Sequence, residues 1–217
     1  MRTNHPMRGL LQFYFYAQSG NIAALAVLCL GLAVVAIISG NIFVYNSFFM
    51  LAIAGTPYVI IIAMGGKQYP KWERFRLTMP IKRGDLAGAQ YLSILLASLA
   101  GLPLAVLVAV LTFSIHEIDY SLATALINIL AVLATPLVFA GLIFPVGNTK
   151  FGENKQETTV MLCLAVTVGF NLFLMPRMGA WLGLPDGLTS LATFAIGLAV
   201  FITSCLITRR IYAKRDF

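Results

Sequence analysis

The sequence predicts an all-α, polytopic membrane protein of six transmembrane helices, and three observations carry that prediction. Of its 217 residues, 59% are hydrophobic and only 11% are charged, with a mean hydropathy of +0.88, whereas a soluble domain carries about 25% charged residues. The few charges are clustered, and between the clusters lie charge-free stretches of about the 17–25 residues needed to cross ~30 Å of hydrocarbon. Unpaired backbone groups are costly in lipid, so stretches of that length must be helices rather than open strands.

The elements follow in chain order. Residues 8–19 are expected to form a short helix lying in the membrane interface, with Leu10, Phe13, Tyr14 and Ala17 on one face and Arg8, Gln12, Tyr16 and Ser19 on the other; an aromatic-belt flank is the other reading. Arg2 and Arg8 lead into this aromatic segment rather than into the short apolar core of a leader peptide, so no cleaved signal is expected. Gly20 and Asn21 then turn the chain into the membrane. The spans run Ile22–Ser39, Ile42–Met64, Leu86–Phe113, Leu122–Phe144, Thr159–Met175 and Leu188–Thr208. The whole chain, 1–217, is a single transmembrane domain.

Orientation follows from the basic residues. Placing both termini in the cytoplasm puts all but one of the 15 lysines and arginines inside and leaves Arg177 alone outside, as the excess of basic residues on cytoplasmic loops requires. The net charge of +7 is then a basic rim beside anionic lipid, and no nucleic-acid partner is needed to explain it. The expected location is the bacterial cytoplasmic (inner) membrane. Outer loops are minimal: Ser39–Asn41, His116–Ser121 and Pro176–Gly187. Glu117 and Asp119 fit a solvated loop ending in the N-cap candidate Ser121 better than the other reading, a site for a cationic ligand.

What the spans lack limits the function. None of the six contains Asp, Glu, Lys, Arg or His, the residues from which proton relays and ion-coupled carriers are built. The same absence leaves no base beside a nucleophile for an intramembrane hydrolase. No GxxxxGK[ST]-type phosphate loop occurs, so the chain is expected to be a non-catalytic subunit without its own ATPase activity. Cys29, Cys163 and Cys205 sit inside spans without metal or redox spacing and are expected to be packing residues. His5 and His116 fall on opposite sides of the membrane, and no metal site is expected.

One cytoplasmic loop, residues 65–86, is too polar to span and too patterned for a plain linker. Pro70 suits a helix start and Pro80 biases Met79 out of helical geometry, delimiting a short helix over 71–78. Trp72, Phe75 and Met79 form its apolar stripe, flanked by Glu73, Arg74 and Arg76, and Asp85 is placed to cap the following span. Two readings fit this segment. It either snorkels on lipid headgroups, or it docks an aromatic anchor with flanking arginines into a groove on a cytosolic partner.

The run WERFRLTMPIKRGDLAGAQYL resembles the loop signature of the type-2 ABC exporter permeases, and in particular of the short bacterial permeases that include the phenol-soluble-modulin exporters. The match rests on Trp72, Glu73, Arg74, Pro80, Ile81, Arg83, Asp85 and Tyr91, while Met79, Lys82 and Gln90 depart from the leucine, hydroxyl and lysine common there. The motif covers about twenty residues, and the layout of interfacial helix, spans and short outer loops covers the chain. The resemblance implies a coupling helix that docks on a separate ATP-binding cassette subunit, with Trp72, Glu73, Arg74, Phe75, Met79, Pro80 and Arg83 making the contact. It further implies two permeases with two such subunits, which hold the ATP and Mg; the permease itself carries no cofactor.

The transport pathway rests on fewer signals. Asn128 and Asn171 are polar side chains at membrane depth, and Thr56-Pro57, Pro103 and Pro136 interrupt helices where bending would help gating. Interhelical hydrogen bonding is the other reading of the two asparagines. A wall of Phe, Leu, Ile, Ala and Met suits amphipathic or hydrophobic cargo, such as a peptide toxin, bacteriocin, lipid or drug. Ala33, Ala36, Gly40 and Gly169 permit close helix approach and, with the family's paired permeases, predict a homodimer. A ligand-capturing importer subunit and an ion-coupled carrier are the alternative classes.

Overall fold

Charge-free runs of Leu, Ile, Val and Ala leave the backbone no partner in lipid but itself, and every regular element among the described residues is helical. The structure is a computed structural model that describes residues 5–65, 83–116, 122–147 and 156–214. In chain order the helices are α1 (His5–Ala17), α2 (Ser19–Ser39), α3 (Ile42–Met50), α4 (Thr56–Gly65), α5 (Arg83–Ile115), α6 (Leu122–Gly147), α7 (Gln156–Gly169), α8 (Met175–Trp181) and α9 (Asp186–Lys214). Widened π-helical turns join α3 to α4 at Leu51–Gly55 and α7 to α8 at Phe170–Leu174.

A proline follows each π turn by two residues, Pro57 after Gly55 and Pro176 after Leu174. A proline has no backbone N–H to offer the turn before it, and π turns occur as single-turn widenings inside α-helices.

Five helices among the described residues are long and apolar enough to cross a membrane: Ser19–Ser39, Val44–Ile61, Gly84–Ile115, Ile129–Val146 and Gly187–Ala213. The expected span at Thr159–Met175 falls on a shorter apolar helix, Thr158–Gly169, that runs into the second π turn and then α8. Two boundaries differ from expectation. The bend after α1 falls at Gln18, which is buried and accepts a hydrogen bond from Asn21, so Gly20 and Asn21 already belong to α2. Helix α5 begins at Arg83, which puts Asp85 within its first turn rather than at the cap. A carboxylate there still faces the positive end of the helix dipole.

Two apolar clusters fill the interior. One gathers Ile61 of α4, Tyr91 and Ile94 of α5, Phe139 and Phe144 of α6 and Phe201 of α9, with Phe15 of α1 packed against it. The other gathers Cys29, Ala33 and Ala36 of α2, Phe48 of α3, Ile53 of the π turn and Val108 of α5. Ala33 and Ala36, expected to permit close helix approach, pack within the chain.

Close approach is set by three glycines. A Cβ on Gly101 of α5 would lie 2.0 Å from the Ala52 carbonyl oxygen of the first π turn, so backbone meets backbone there. Helices α6 and α9 pack along a seam where a Cβ on Gly141 would lie 2.7 Å from Val200 Cγ1 and one on Gly197 would lie 3.3 Å from Ala134. Helix α7 buries a narrow stripe of Thr159, Cys163 and Thr167 at four-residue spacing, while Met161 and Leu162 stand outward, as does Val27 of α2. Outward apolar side chains of this kind suit contact with lipid tails.

Candidate functional site

Two polar contacts orient the helices end to end. At one end the Tyr91 hydroxyl of α5 is hydrogen-bonded with Ser204 and Thr208 of α9, the latter at 2.9 Å. That contact brings the start of α5 beside the end of α9, where Arg209 and Arg210 are exposed. Helix α1 packs on α5 at the same end, with Leu10 buried and Gln12 and Tyr16 exposed. At the opposite end of α5, His116 is hydrogen-bonded through Nε2 to the Ile37 carbonyl oxygen at 2.8 Å. Its ring rests on Gly40, where a Cβ would come within 2.7 Å of it.

Gly40 serves that end twice. Its φ of 60° is left-handed backbone, and its N–H donates to the Ala36 carbonyl at 3.0 Å, closing α2. Glycine alone adopts this conformation without steric cost, and its bare Cα admits the imidazole. The Ile37 carbonyl, orphaned by the helix end, then finds its donor on another helix.

The residues that sequence reasoning selected are distributed as follows. Trp72, Glu73, Arg74, Phe75, Met79 and Pro80 lie outside the described residues, and Arg83 is the first residue of α5. The loop that holds them leaves α4 at Gly65 and enters α5 at Arg83, at the end carrying α1 and the α9 arginines. Thr56 opens α4, half-buried, between the first π turn and Pro57. Asn128 belongs to α6 and Asn171 to the second π turn, so the three pathway candidates fall on separate elements. The first π turn packs on α5 and α6, whereas the second continues α7 into α8.

The Tyr91 node was not visible as a site. Tyr91 is 3% exposed, and its ring meets Phe144 of α6 and Phe201 of α9 edge-on, with centroids 4.9 Å and 5.0 Å away. The loop motif contains Tyr91, but nothing in the sequence pairs it with hydroxyls on the last helix. Gln90 beside it is equally buried, and its Oε1 has no hydrogen-bond partner among the described residues.

All-helical among the described residues, and with several helices fit to cross a membrane, the chain is a multi-pass membrane protein. The family model for ABC-2 family transporter proteins matches residues 10–213, nearly the whole chain, and the chain belongs to that family. It is thus an ABC permease subunit, a membrane transport component of a family that implies association with an ATP-binding subunit. No curated protein and no solved structure matches the chain.

Proposed function

We propose that the chain is the permease of an ATP-driven exporter for amphipathic or hydrophobic cargo, peptides foremost. It works in the bacterial cytoplasmic membrane as a pair of copies driven by two separate ATP-binding subunits. In this reading the α7–α8 segment completes a sixth span, both termini are cytoplasmic, and the loop between α4 and α5 docks on the ATP-binding subunit.

One observation carries the choice of energy source. Among the described residues the buried side chains that carry a polar group are Gln, Ser, Thr, Tyr and Cys, and no Asp, Glu, His, Lys or Arg is buried. A carrier driven by protons needs such residues at membrane depth, and an interior without them has to take its energy from a partner. Membership of the ABC-2 family supplies that partner in kind. The gathering of α1, both ends of the docking loop and Arg209–Arg210 at one end supports a cytoplasmic assignment for that end. The short outward connections, such as that at Gly40, offer little for capturing a ligand from outside, which favours export over import. Likeness of the docking motif to the phenol-soluble-modulin exporters supports peptide cargo.

The test is co-purification of the ATP-binding subunit from the native host with wild type and with Trp72→Ala/Arg83→Ala. Loss of the aromatic anchor should weaken association by ~2 kcal/mol or more, at least roughly thirtyfold, while membrane insertion is unchanged. Undiminished recovery of the subunit with the double variant would return the loop to the headgroups.

A further inference from the structure

We propose that Tyr91 is the positioning residue through which movement at the start of α5 reaches α9. This role rests on the reading that an ATP-binding subunit acts on the loop that enters α5. Tyr91 lies eight residues after Arg83, about 12 Å along the helix at ~1.5 Å per residue. A displacement imposed on the first turn of α5 therefore meets this side chain within little more than two turns.

The geometry suits a transmitter. Phe144 and Phe201 hold the ring edge-on from two helices, so it cannot swing aside. Its hydroxyl is bonded with Ser204 and Thr208, which stand one turn apart on α9. A single oxygen bonded to two groups one turn apart fixes the axial register of α5 against α9, because sliding either way stretches one of the bonds. Apolar contacts tolerate such sliding with a gradual loss of packing. A hydrogen bond in a low-dielectric interior is directional, and breaking it strands buried polar groups.

Gln90 adds an independent sign that this level of α5 has a second arrangement. Its Oε1 is buried with no partner among the described residues, a costly condition that native proteins rarely tolerate without a reason. A rotation or shift of α5 that supplied a donor to this oxygen would recover that cost while moving Tyr91. The two neighbours would then favour different registers of α5, and Tyr91 would carry the choice to α9.

Cys205, half-buried beside Ser204, is a native reporter. The wild-type permease with its co-purified ATP-binding subunit is placed in liposomes of phosphatidylethanolamine and phosphatidylglycerol. Alkylation by N-ethylmaleimide is then followed by peptide mass spectrometry with and without a non-hydrolysable ATP analogue. The nucleotide should change the Cys205 rate at least fivefold in wild type and less than twofold in Tyr91→Phe. The subunit should be recovered in wild-type yield, and buried Cys29 of α2 should stay as protected as before. Ser204→Ala/Thr208→Val, which leaves Tyr91 in place, should lose the response equally and guards against a folding defect peculiar to Tyr91→Phe. A full nucleotide response in either well-folded variant overturns the proposal, as does a wild-type complex that hydrolyses ATP with no response at Cys205. Failure of any ATP-binding subunit to accompany wild type is a different result: it refutes the driving partner, and the proposal with it.

Discussion

Gly101→Ala is the substitution for which the structure makes the sharpest demand. The new methyl would lie 2.0 Å from the Ala52 oxygen and 2.7 Å from its carbonyl carbon, where ordinary contact begins at 3.4 Å. Both atoms are backbone of the first π turn, so no side chain can rotate away and α5 must part from the turn by more than an ångström. Overpacking costs ~1–3 kcal/mol, and a rigid obstacle belongs at the upper end. Alanine returns ~1 kcal/mol through its better helix propensity. The net loss is about 2 kcal/mol, roughly thirtyfold in the folded-to-unfolded ratio. Gly31→Ala in α2 is the control, since no atom lies within 4 Å of its added Cβ. It gains the same propensity and meets nothing. Unfolding of the purified chain in mixed micelles, titrated with sodium dodecyl sulfate and followed by circular dichroism, measures both. Wild-type stability in Gly101→Ala, or an equal loss in Gly31→Ala, would refute the backbone contact.

Three further outcomes follow from the same geometry. Gly40→Ala should cost about 1–2 kcal/mol, because its φ is left-handed and its methyl strikes the His116 ring. His116→Ala should cost about 1 kcal/mol for the lost bond to Ile37, and the double variant should lose less than the sum, measured by the same titration. Gly141→Ala should be milder than Gly101→Ala, at about 1 kcal/mol, since the nearest atom is the side-chain Cγ1 of Val200 and part of the strain can be relieved locally. Finally, the permease freed of its partner should release phosphate from ATP no faster than buffer, and genuine turnover by the isolated chain would contradict its place as a transport subunit.

The sequence made the helices legible and their partners largely not. Hydropathy marks where lipid begins, so it started the third span at Leu86 and missed the polar turn that carries α5 back to Arg83. It also ran straight through Phe170–Leu174, because apolar counting registers hydrophobicity and not the width of a helical turn. Pro57 was recognised as an interruption, but the approach of the Ala52 carbonyl, in the π turn before it, to Gly101 involves a helix that arrives later in the chain. Ala33 and Ala36 were rightly singled out as close-packing residues, yet periodicity cannot say whether the neighbour belongs to the same copy. Tyr91 stood inside the recognised motif, but its hydroxyl partners lie 113 and 117 residues away. No local pattern reaches that far.

The intrahelical hydroxyl bonds bear on how the chain enters the membrane during synthesis. Ser98 donates to the Ile94 carbonyl at 2.9 Å, Thr167 to Cys163 at 2.8 Å and Thr193 to Thr189 at 2.7 Å. Thr203, exposed on α9, donates to the Ala199 carbonyl at 2.8 Å. Each of these protons is satisfied by the helix that carries it, as soon as that helix forms and before any other helix arrives. To the insertion machinery such a threonine weighs little more than a valine, so hydropathy scales overstate the polarity of these segments. Polar composition and polar surface thus separate in this chain. Ser204 and Thr208 differ because their hydroxyls are engaged with Tyr91 of another helix, and that bond can form only after both helices are already in the bilayer.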